Sequence, residues 1–196
     1  MSNEVDAYWS KCYETGRDFR MISSRAISTL LRFANTAQGG RCLDVGCGTG
    51  QLTRELYHRG FNVVGIDVSE SAIDIARKLT TVSRRRLQYL HLDIECGGLS
   101  KLVNQSYDLI TCKFVYALIK DKPAFLLKVH QLLAPNGAFV VITPVPEDVP
   151  AEKKMIIVAS DDMSRLAREF DQTALYQEHG LICFVGRRRR VLTEAA

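Results

Sequence analysis

Gly46, Gly48 and Gly50 stand at alternate positions between an apolar run, Leu43 to Val45, and a helix-forming stretch that opens at Gln51. A strand that breaks into such a turn lets its backbone approach a bound cofactor, and the next helix aims unpaired N–H groups at it. Dinucleotide turns space their glycines G-x-G-x-x-G, which would require glycine at position 51; Gln51 stands there, and Gly50 comes one residue early. That offset argues against a nicotinamide cofactor. Asp44 precedes the turn and Cys47 lies inside it. Asp67 closes the next apolar run, VVGID, where a carboxylate can accept two hydrogen bonds from neighbouring ribose hydroxyls, or can cap a helix. Asp93 ends LHLD with Glu95 as a competing carboxylate, and His91 reads as a strand histidine. Lys113 ends YDLITCK, where it would bring a cation to a bound carboxylate or substrate, or else rise to solvent past an apolar edge.

These residues fall at the ends of strands in an alternating pattern. The periodicity predicts a short aromatic helix around 7–13, a helix within 21–37, and a first strand over 41–45 followed by a helix over 51–58. A second strand over 61–67 and a helix capped by Ser69 follow. A third strand is expected over 87–93, a fourth over 107–113, a helix from 122 to 133 with Pro123 in its first turn, and a fifth strand over 138–144 after a Pro135-Asn136-Gly137 turn. Asp161 or Asp162 should cap a helix over 162–170, and 172–186 reads as a hairpin about His179-Gly180. Continuous apolar strands separated by helices indicate a mostly parallel sheet covered on both faces.

At 196 residues, with 46% hydrophobic residues, the chain suits one globular α/β unit. No apolar run approaches a membrane span or resembles a signal peptide, so a cytoplasmic location without membrane partners is expected. The cysteines are scattered, without a C-x-x-C pair or nearby histidines, and neither a zinc site nor a disulfide framework is expected. The net charge of +4 is concentrated in Arg84-Arg85-Arg86 and Arg187 to Arg190. Those runs suit phosphate docking or, better, solvated loop and strand ends. The sequence disfavours a nucleic-acid partner while leaving it open, and both monomer and homodimer remain open.

The pattern Asp44-x-Gly46-x-Gly48-x-Gly50 resembles motif I of the class I, Rossmann-like methyltransferases dependent on S-adenosylmethionine, and LLAPNGAFVVITP resembles their passage into strand five. The resemblance covers nearly the whole chain. It implies a three-layer α/β fold with a mostly parallel seven-stranded sheet ending in an antiparallel hairpin. It further implies that residues 1–38 form a helical cover of the pocket and 39–196 the cofactor-binding core. In such a family Asp44, Gly46, Cys47, Gly48 and Gly50 would hold the methionine moiety, Asp67 the ribose, Val68 the adenine face, and Asp93 and Ile94 the adenine edge. Lys113 joins them as a possible partner of the cofactor carboxylate. Tyr8, Trp9 and Tyr13, with Phe19, would form the cover.

Methyl transfer from a sulfonium needs alignment and dryness more than a triad, so no catalytic residue is assigned. Tyr13, Tyr116 and His179 are candidate contacts only. The segment TCKFVY lacks the proline-rich motif of DNA amino-methylating enzymes, and ITPVPEDV lacks the Asp-Asn pair of the magnesium-dependent catechol type. No metal is expected. By elimination the acceptor is a small molecule such as a natural-product intermediate; RNA or protein methylation and a non-catalytic cofactor-binding module are the rivals.

Overall fold

The computed structural model describes residues 2–16, 21–81, 85–102 and 106–187. The elements are α1 (Ser2–Glu14), α2 (Ser24–Ala34), β1 (Arg41–Val45), α3 (Gln51–His58), β2 (Asn62–Asp67), α4 (Glu70–Lys78) and β3 (Leu87–His91), then β4 (Tyr107–Lys113), α5 (Lys122–Leu132), β5 (Leu133–Pro144), α6 (Ser160–Arg168), β6 (Gln172–Glu178) and β7 (Leu181–Arg187). The seven strands form one sheet in the order β3-β2-β1-β4-β5-β7-β6. The first five strands are parallel, and the β6–β7 hairpin joins antiparallel to β5 through β7. This is the expected Rossmann-like α/β architecture.

Both sheet faces are apolar, and each finds its cover. Ile27 and Leu30 of α2 and Leu52 and Leu56 of α3 bury against Cys42, Val63, Val140 and Cys183, while Ile73 and Ala76 of α4 pack on Leu87 and Tyr89 of β3. On the opposite face Phe125 and Val129 of α5 and Leu166 of α6 meet Leu43, Ile110, Phe139 and Phe184. α2 is therefore part of the packed core, and α1 alone lies outside the layers, against α4.

Three local expectations are corrected. The Pro135-Asn136-Gly137 turn lies within β5: Leu133 pairs Tyr107 and Ala138 pairs Leu109, so the extra residues bulge out, with Asn136 at φ 66°. Helix α6 begins at Ser160 behind Ala159, without a side-chain cap; Asp161 and Asp162 sit in its first turn instead, where a negative charge suits the helix dipole. Strand β3 stops at His91, before Asp93. The cap on α4 is as expected, with Ser69 Oγ accepting from the Ala72 amide at 3.1 Å. Phe19, Arg84 and Arg188–Arg190 lie outside the described residues.

Candidate active site

Strand order reverses between β1 and β4, and open α/β sheets bind ligands at the carboxyl ends beside such a switch. A cavity of about 370 Å³ lies there, within the range of small-ligand sites. Its floor comes from Val45, Gly46, Cys47 and Gly48 after β1, Asp67 and Val68 after β2, Asp93 to Cys96 after β3, and Lys113 to Val115 after β4. Val5, Trp9 and Tyr13 of α1 close it from outside.

The turn is built for close approach. The Cys47 amide donates to the Ile66 carbonyl at 2.9 Å, which ties the loop to β2. Gly48 has φ 53°, and a Cβ added there would stand 2.7 Å from the Tyr13 hydroxyl. Only glycine suits both conditions. Behind it, Asp67 accepts from the Gly48 amide through Oδ2 at 2.8 Å and from the Ser69 amide through Oδ1 at 2.9 Å. Burial raises its pKa to about 6 against the pull of those two amides. Such a carboxylate gains from any further donor a ligand brings.

Asp44 is placed differently. Its oxygens accept from the Thr53 and Thr111 hydroxyls, each at 2.7 Å, and it does not line the cavity. Burial pushes its pKa up despite these bonds. It braces β1 against α3 and β4 from beneath the turn. Gly50 caps α3 with φ 80° and is likewise behind the wall. Cys47 does line the cavity, but burial, with Asp67 and Asp44 nearby, raises its thiol well above the ordinary range. It is a neutral wall residue.

Asp93 accepts from the Glu95 amide at 2.8 Å through Oδ1, and Glu95 accepts from the Lys120 and Asp121 amides at 2.9 and 3.1 Å. Lys128 clamps the Ile94 and Glu95 carbonyls, while the Ile94 amide donates to no described residue. The competing carboxylate therefore fastens the loop after β3 to the entrance of α5. Lys113 is half-buried on the cavity wall with its ammonium 5.3 Å from the Phe114 ring centre. Phe114 takes φ 62° and donates its amide to the Ile142 carbonyl, a left-handed turn that no sequence motif announced. Tyr116 is buried beside Phe125, and His179 is in the hairpin turn; neither reaches the cavity. Of the expected aromatic cover, Trp9 and Tyr13 line it, whereas Tyr8 is about half exposed and meets Trp9 edge-on. Val5 completes the wall and was not foreseen.

The cover is pinned by a polar row along α4. Ser10 and Ser69 share a hydroxyl contact of 2.9 Å, Ser71 donates to Glu14 at 2.7 Å, and Asp6 accepts from the Glu70 amide at 3.3 Å. His91 Nε2 lies 2.9 Å from the Val68 carbonyl and 3.2 Å from Asp6. His91 thus serves the cover and not the cavity.

A family model described as methyltransferase domain matches residues 19–190. The chain belongs to that family. The chain is 31% identical over 147 residues to the mitochondrial ubiquinone biosynthesis O-methyltransferase of Schizosaccharomyces pombe, covering 72% of the chain and 52% of that protein. It spans about half the length of several curated relatives it matches. In fold it is similar to the plantazolicin methyltransferase BpumL solved with SAH, at TM-score 0.65 and 14% identity, covering 85% of this chain and 83% of that one. The CurJ carbon methyltransferase gives TM-score 0.66 at 18% identity over 85% of this chain and 53% of its own. Among the described residues no helix is long and apolar enough to cross a membrane, and no group of three or more metal-ligating side chains converges.

Proposed function

We propose that this chain binds S-adenosylmethionine in the cavity and methylates an oxygen of a small molecule, such as a natural-product intermediate. The observation that carries the reading is Asp67, a buried carboxylate at the cavity wall, on the strand beside the glycine turn, whose ionised form would gain from ribose hydroxyl donors. The Ile94 amide, unsatisfied by any described residue, is a ready donor for an adenine ring nitrogen, with Asp93 beside it and Val68 as apolar wall. Gly46, Cys47 and Gly48 leave room for the methionine chain, and Lys113 offers its ammonium to the carboxylate. Asp44 and Gly50 would act from behind, by holding the turn. When bound, the cofactor supplies a methyl group made electrophilic by a positive sulfur.

The chain's own contribution is alignment and exclusion of water, with α1 as the cover. No described residue lining the cavity is a histidine. Asp67, Asp93 and Glu95 are each bonded to backbone amides in the loops they shape. A phenolic hydroxyl, largely protonated at neutral pH, would have to lose its proton to one of these carboxylates or to solvent. The relatives named for ubiquinone O-methylation favour oxygen. Free cysteines throughout suit a reducing compartment, and we place the protein in the cytoplasm. The test is transfer of labelled methyl from S-adenosylmethionine to a panel of small phenols, amines and thiols. Phenol labelling that disappears in Asp67→Ala is expected. Labelling of RNA or protein alone by the folded chain would overturn the acceptor assignment.

A further inference from the structure

The two edges of the sheet are unlike. At β3 the Arg77 guanidinium donates to the Tyr89 carbonyl at 3.0 Å, and Arg85 and Arg86 precede the strand. Charge on an edge keeps other strands away. The other edge, β6, is seven residues long and has no proline, lysine or arginine, and its only charge is Glu178 at the end. No described strand pairs with its outer side. Leu175, at its centre, is 63% exposed.

The hairpin register fixes which peptide groups face outward. A two-residue turn, His179-Gly180, closes the hairpin, and Glu178 opposes Leu181. In such a hairpin the pair flanking the turn exchanges both backbone bonds, and bonding alternates from there. Glu178, Tyr176, Ala174 and Gln172 therefore bond to β7, which leaves Gln177, Leu175 and Thr173 presenting their N–H and C=O outward. We infer that β6 pairs antiparallel with β6 of a second copy of this chain about a two-fold axis through Leu175, giving one continuous sheet across a dimer. In that register Leu175 meets its own counterpart, Thr173 meets Gln177, and Gln172 meets Glu178. One step beyond, the Asp171 carboxylate faces His179. No like charges oppose one another, as a self-complementary two-fold contact requires.

Sedimentation velocity of the full chain at concentrations up to ~0.1 mM tests the contact. A dimer is expected, and Leu175→Lys, which sets two ammonium groups together at the axis, should give a folded monomer with the same circular dichroism spectrum. Leu175→Cys provides the second arm: opposed Cα atoms about 5.5 Å apart fall within disulfide range, so mild oxidation should yield a covalent dimer. A monomeric parent chain, a dimer unchanged by Leu175→Lys, or no crosslink beyond that of the parent would each overturn the inference.

Discussion

Two aspartates that look alike in the sequence do different work. Asp67 is a carboxylate of the cavity wall with a raised pKa, and ionising it in the ligand-free protein costs on the order of 3 kcal/mol relative to water. Because the folded value lies above the unfolded one, this group favours the fold at low pH and loses that contribution as pH rises from about 4 through about 6. A ligand that donates hydrogen bonds to it must favour the ionised form. Binding of S-adenosylmethionine near pH 6 should therefore release a proton, measurable as a binding enthalpy that varies with buffer ionisation heat. Affinity should also weaken as pH drops below 6. Asp44, raised by burial in the same direction, acts on stability instead. Replacing it by alanine strands two buried hydroxyls at about 1–3 kcal/mol each. Urea denaturation of Asp44→Ala should show a loss of several kcal/mol, whereas Asp67→Ala should lose ligand affinity by about a hundredfold, its stability change being set by two freed amides against the relief of a buried charge. Sequence spacing put both residues beside the turn. It could not distinguish them, because the partners of Asp44 are hydroxyls on α3 and β4, nine and 67 residues along the chain and marked by no motif.

At the element scale, the strands and helices were readable because their periodicities are clean, and the boundaries of β1, α3, β4 and the hairpin fall where the pattern puts them. The errors have physical causes. A bulge lets β5 start before its turn, and α6 needs no aspartate cap because its acids serve the dipole from the first turn. The role of α1 was legible only as aromatic content; its pinning by Ser10, Asp6 and Glu14 to the start of α4 depends on tertiary geometry. The helix supplies its own reporter. Trp9 is the single tryptophan and lines the cavity. Its emission should shift on saturation with S-adenosylmethionine, and His91→Ala, which loosens the Asp6 contact, should weaken binding a few-fold. An unchanged Trp9 spectrum in a saturated protein would contradict α1 as a cover.

For the whole molecule, polarity along the strands separates two surfaces. The cavity opens at the carboxyl ends of β1 to β4, whereas Arg85 and Arg86 precede β3 and Arg187 pairs Ala138 at the start of the parallel part of β5. These described arginines stand at the opposite end of the sheet from the cavity. A polyanion docked by them would lie away from the cavity. Turnover on a small acceptor should accordingly show a shallow salt dependence, and Arg85→Ala with Arg86→Ala should leave cofactor affinity unchanged. The measurement that bears most directly on the account is calorimetric titration of the ligand-free protein with S-adenosylmethionine, with NAD in parallel and Asp67→Ala as the paired variant. Saturable binding of S-adenosylmethionine alone, lost in Asp67→Ala, is the predicted result. NAD binding in its place, or no binding by folded protein, would contradict the account.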